Sequence, residues 1–137
     1  MQARTHVTLT TTIPDDAVWD DNDELAVPGG HALISAIHDG IAASTDNCEL
    51  PCQRSFYGWE FTFRIRGARF IIVVQATEAW LVICETDGKT DEATIMIVLE
   101  LLDRFFANDR RFNGVRWHFR HDYEKGDESK GANAPVK

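Results

Sequence analysis

The sequence predicts an α+β domain: an antiparallel sheet of four to five strands with two helices packed mainly on one face, in the order β-α-β-β-β-α-β. The first observation is a row of three strand-like runs, Trp59 to Arg66, Arg69 to Thr77 and Ala79 to Glu85, parted only by Gly67-Ala68 and Thr77-Glu78. Runs joined by such short turns have to pair as an antiparallel meander. The second is that apolar residues recur at helical spacing on both sides of that meander. The third is length: a domain of roughly 150 residues buries about 70% of its unfolded surface, so 137 residues suffice for one core.

At the amino end, Val7, Leu9, Thr11 and Ile13 alternate with His6, Thr8, Thr10 and Thr12, a period of two that predicts a strand ended by Pro14. Asp15 to Val27 reads as an acidic surface connection tacked down by Val18, Trp19, Leu25 and Val27. Pro28-Gly29-Gly30 then breaks the chain before a helix from His31 to about Ala43, whose buried side is Leu33, Ile34, Ile37 and Ile41. Gly40 inside it costs about 1 kcal/mol relative to alanine. Ser44 to Phe56 has no period and contains Pro51, so it reads as an irregular crossing.

Within the meander, Trp59, Phe61, Phe63 and Ile65 alternate with Glu60, Thr62, Arg64 and Arg66, the pattern of a strand with one buried and one wet face. The next two strands are different. Phe70 to Val74 and Trp80 to Cys84 are continuously apolar, which implies cover on both faces, from the chain itself or from a partner. A helix of about 18 residues follows Gly88, with Thr90 or Asp91 as N-cap. Its core stripe is Ile95, Val98, Leu99, Leu102, Phe105 and Phe106, and Met96, Ile97 and Leu101 widen the apolar arc. After Asn113-Gly114, Val115, Trp117 and Phe119 alternate with Arg116, His118 and Arg120, which predicts a last strand with a basic outer face. Residues 124–137 are small, charged and poor in apolar side chains, so they read as a disordered tail behind a single domain of residues 1–123.

The net charge of −8 is lopsided: residues 1–50 carry nine acids against Arg4 alone, while residues 51–137 balance 13 acids with 13 bases. The densest acids are Asp15, Asp16, Asp20, Asp21, Asp23 and Glu24. Such a segment repels nucleic acid and steers a basic partner, and the same balance sets aside the RNA-binding face that the strand arginines would otherwise suggest. The cluster Asp20 to Glu24 lacks the glycine and the distant glutamate of a calcium loop. No run approaches the roughly 20 apolar residues needed to span a bilayer, and Met1 to Ile13 lacks the apolar core of a signal peptide. Three cysteines, Cys48, Cys52 and Cys84, fit a reducing, cytoplasmic setting with free thiols.

For chemistry the pattern offers little. Cys48, Cys52, His118 and His121 could in principle supply four zinc ligands, but residues three apart on a strand face opposite ways, so the expectation is no metal and no cofactor. No nucleophile elbow or phosphate-binding glycine loop is present. A pocket between the sheet and the first helix, lined by Trp59, Trp80 and Trp117 and using His38 or His118, is the one arrangement that would make the chain a small enzyme or ligand binder.

In size, acidity and helix-meander-helix order the chain is similar to bacterial type III secretion chaperones and to small immunity proteins. That resemblance is architectural and assigns no residue a role. The absence of catalytic motifs, together with the confined charge and the surplus apolar area, points to a non-catalytic module, of immunity-protein or chaperone type, that holds a basic protein through the acidic amino-terminal segment. A homodimer formed through the two-sided apolar sheet or the second helix is the other assembly the pattern suggests.

Overall fold

The computed structural model describes residues 3–55 and 57–136. Its elements run β1 (His6–Thr11), β2 (Val18–Trp19), β3 (Leu25–Val27), α1 (His31–Ile41), β4 (Cys52–Ser55), β5 (Gly58–Ile65), β6 (Ala68–Ala76), β7 (Trp80–Asp87), α2 (Glu92–Asn108), β8 (Phe112–His118) and α3 (Arg120–Glu124). Six of the strands make one antiparallel sheet in the order β4-β5-β6-β7-β1-β8, and β2 pairs with β3 as a separate hairpin. The predicted meander is therefore present as β5-β6-β7. β1 leaves the amino end to lie between β7 and β8.

Register decides which side chains share a face. Trp59, Val74, Val82, Val7 and Trp117 are successive cross-strand partners, and they line the side that the helices cover. One row along, Glu60, Val73, Ile83, His6 and His118 are partners on the opposite side. On the helix side, α1 packs over β5 and β6 while α2 lies against α1 and β8. Ile34, Ile37, Ile41, Phe61, Phe70, Ile72, Val98, Leu99 and Trp117 are all buried there in one continuous cluster. Each such side chain contributes about 1.5–3 kcal/mol by leaving water. Asp91 caps α2 by accepting from the Thr94 N–H at 2.7 Å. Hydrogen bonding from the Thr94 side chain, and then from its backbone N–H, holds this carboxyl below the usual range, and the acid suits the positive end of the helix dipole.

Gly40 proves to be more than a weak helix residue. A Cβ there would lie 2.0 Å from Phe105 Cε1, so its missing side chain is what lets α1 and α2 approach around that ring.

The structure departs from the sequence reading in four places. The sheet has six strands rather than four or five, because β4 lies in the segment read as irregular; all four of its residues are exposed, so it carries no apolar alternation. The acidic connection holds the β2-β3 hairpin. The last strand ends at His118, and Arg120 opens α3 instead of extending a basic strand face.

The fourth departure is the expected tail. Through residue 136 it folds back on the sheet: Trp117 and Ala132 exchange backbone hydrogen bonds of 2.7 and 2.8 Å, and the Arg4 N–H donates to the Pro135 carbonyl at 2.8 Å. These bonds are made by main chain, which composition does not register. The short helix α3 that leads into it accounts for part of the two-sided apolar pattern. Leu81 and Ile83, on the side away from the two long helices, lie beside Arg120, Tyr123 and Glu124 of α3. Among the described residues, no helix is long and apolar enough to cross a membrane.

Candidate functional site

The acidic segment is built as an arm. Asp16 accepts from three backbone N–H groups at the start of α1: Gly30 at 3.0 Å, His31 at 3.2 Å and Ala32 at 3.0 Å. Those donors have no partner within the helix, so a carboxylate aimed at them ties the arm to the body with charge-assisted bonds. Asp15 accepts from the Ala17 N–H at 3.0 Å and fills the space where a Cβ on Gly29 would stand. At the tip, Asp20 Oδ1 accepts from the N–H groups of Asn22 and Glu24 at 2.8 and 3.0 Å, closing the turn between β2 and β3.

Three of the six acids singled out by the sequence thus hold backbone. The other three, Asp21, Asp23 and Glu24, are exposed, and among the described residues their carboxylates take part in no hydrogen bond or ion pair. Beside them Val18 is 50% exposed and Trp19 60% exposed. Arginines elsewhere pair within the body, Arg54 with Glu60 and Glu85, Arg69 with Asp87, and Arg111 with Asp109, so none of these reaches the arm.

The five residues read as a pocket are not brought together. Trp59 and Trp80 both close on Gly30 at the start of α1, and the Trp59 indole N–H donates to the Pro28 carbonyl at 2.9 Å. His31 lies on the Trp59 ring with centroids 4.5 Å apart. His38 sits edge-on to Phe61, with Nδ1 2.9 Å from Asp39 Oδ1 and a buried Nε2 that lacks a partner. Trp117 is packed in the core against Phe106. His118 is on the other side of the sheet, 2% exposed rather than on an open basic edge. Between the sheet and α1 the volume is filled by Ile34, Ile37 and Ile41 against Phe61 and Val74.

The polar hollow lies instead on that other side. A groove of about 700 Å³ runs between α3 and the sheet, floored by Leu81 and Ile83 and rimmed by His6, Glu85, Arg120, Tyr123 and Glu124. His6 and His118 are cross-strand neighbours, and their rings lie 5.4 and 5.9 Å from that of Tyr123. Thr8 Oγ1 and His118 Nε2 share a hydrogen bond of 2.8 Å. Burial pushes both histidines below their ordinary pKa. For His6 the nearby Arg120 charge adds to this, while Glu124 and Glu85 oppose it; for His118, Arg116 and Arg4 add and Glu128 opposes. The Arg4 guanidinium lies 4.3 Å above the Phe119 ring, and its buried Nε has no partner.

Sequence reading gave His6, Tyr123 and Arg120 no joint role, although one signal existed. His6 and His118 each occupy the polar row of an alternating strand, and such rows meet when the strands pair.

Among the described residues, no three His, Cys, Asp or Glu side chains gather as a metal site. The three thiols are free; burial raises that of Cys48 and pushes that of Cys84 up to about 12, far from the thiolate range of reactive cysteines. No family model, curated protein or solved structure matches this chain.

Proposed function

We propose that the chain is a non-catalytic protein-binding module, of the kind immunity proteins and secretion chaperones represent, that holds a basic and partly apolar protein segment on the β2-β3 arm. The observation that carries this reading is Trp19, 60% exposed beside the unpaired Asp21, Asp23 and Glu24. An exposed indole supplies the apolar anchor typical of binding hot spots, and the carboxylates around it supply charge selectivity and on-rate. Asp16 and Asp20 hold the arm in one shape, which lowers the ordering entropy lost on binding.

The test is a peptide-display selection on the immobilised chain, with counter-selection on a variant carrying Asp21→Asn, Asp23→Asn and Glu24→Gln. Enriched peptides should interleave Lys or Arg with apolar residues. Their affinity should fall about tenfold on Trp19→Ala, a change of about 1.4 kcal/mol, and should weaken as salt screens the arm. Enrichment of peptides no more basic than the starting library, or equal binding to the neutralised variant, would remove the arm as the docking site.

A small-ligand reading keeps one specific support, the groove beside α3, where an apolar floor meets a few convergent polar groups. It would use His6, Tyr123 and Arg120 rather than a pocket at α1.

A further inference from the structure

We propose that residues 119–136 form a strap that is closed over the second face of the sheet at neutral pH and is released when His6 and His118 take up protons. The inference is independent of the binding arm, which lies at the other end of the chain.

The geometry places His118 where an added proton finds no acceptor while the strap is shut, with His6 beside it under the same helix. They are direct partners on β1 and β8, only 6% and 2% exposed, and Tyr123 of α3 lies against both rings. His118 has Nε2 engaged with Thr8 and a buried Nδ1 without a partner. Gly131 of the strap is seated against that ring: a Cβ on it would come within 2.6 Å of Cε1 and 2.9 Å of Nδ1. Protonated imidazole donates from both nitrogens. In the closed form the second donor would be buried with no acceptor.

Among the described residues, charged groups face the pair from several elements. His6 faces Arg120 and Glu124 from α3, Glu85 from β7 and His118 from β8; His118 faces Arg116 on its own strand, Arg4 from the amino end, and Asp122 and Glu128 from the strap. The carboxylates soften the effect without reversing it, since burial is the largest cause for each ring and both are held below their ordinary pKa.

The sign follows by linkage. A base whose closed-state pKa is depressed binds its proton more readily in the open state, so closure is fully favoured above about pH 6.5 and weakens as pH falls below it. Two such groups shift the equilibrium by up to about a hundredfold per pH unit. What holds the strap is modest by comparison. Its clasp consists of the Trp117–Ala132 backbone pair, the Arg4 N–H to Pro135 bond, and Arg116 donating to the Gly131 carbonyl. The core under α2 is apolar and has no such stake in pH.

Amide hydrogen exchange read by NMR on the full chain at about pH 7.5 and 5.5, on either side of the free imidazole value and corrected for intrinsic rates, decides the matter. The amides of Arg4, Trp117 and Ala132 should lose at least about tenfold protection at the lower pH, while those of Val98, Leu99 and Leu102 in α2 keep theirs. The double variant His6→Gln, His118→Gln should abolish the difference. Clasp protection that does not change with pH, a parallel loss in α2, or a pH dependence that survives in the double variant would each overturn the proposal. Should that variant fail to fold, the wild-type imidazole resonances still decide. Both rings must titrate below the free value, and a His118 ring titrating at or above it sinks the idea.

Discussion

The two faces of the sheet are cut from the same six strands, yet they are closed by different physics. On one, aromatic and aliphatic rows meet α1 and α2 in a cluster where Phe61, Phe70, Val98 and Leu99 are at most 1% exposed. On the other, histidines, threonines and a few apolar residues lie under a five-residue helix and a short backbone clasp. The first face is secured by area removed from water, which no modest change in solvent composition reverses. The second depends on a handful of hydrogen bonds and on two imidazoles staying neutral. A protein built this way has one face that sets whether it folds and another that is free to respond to conditions.

The sharpest way to break that contrast is to damage the dry face. Phe61→Ala, which removes a ring packed on Phe63 and His38, should cost about 3–5 kcal/mol, read as a lower urea midpoint with an unchanged slope. Next comes Gly40→Ala. On helix propensity alone this change gains about 1 kcal/mol, but the new methyl meets Phe105, itself held by Phe106 and Phe112. Overpacking of about 1–3 kcal/mol should therefore win, and thermal melting that showed the variant to be stabilised would mean that the ring moves freely.

Asp16→Ala, which leaves three N–H donors at the start of α1 without their acceptor, should cost about 1–2 kcal/mol by chemical denaturation. The smallest effect on global stability belongs to Tyr123→Ala on the strap, within about 0.5 kcal/mol. The same substitution should nevertheless raise exchange at the Ala132 amide. If Tyr123→Ala cost as much as Phe61→Ala, the two faces would not differ in kind.

The elements with strong periodicity were legible from residues alone. The alternation of Trp59 to Ile65, the helical spacing of Leu33 to Ile41 and the Asp91 cap each encode their structure within a few neighbours. What the sequence hid was long-range. β4 is recognisable only once β5 is there to pair with it, since its four side chains are all exposed. The strap is held by carbonyls and N–H groups that every residue carries. Six clustered acids looked equivalent, yet Asp15, Asp16 and Asp20 face backbone donors that only the folded hairpin and α1 present, which leaves Asp21, Asp23 and Glu24 outward. Of the tryptophans and histidines read as one pocket, His118 fell on the other side of the sheet from its neighbour Trp117 because a strand alternates its faces with every residue.

The placement of β1 between β7 and β8 has a consequence for how this chain comes off the ribosome. The hydrogen bond between Thr8 and His118 closes a loop of 110 positions, so β1 must wait for a strand made that much later in synthesis before its second edge is satisfied. Local hairpins such as β5-β6-β7 can assemble as they emerge, whereas the sheet is completed only once β8 has emerged. Folding is paced by that long closure, and in the interval the apolar side of β1 is exposed to whatever binds nascent chains.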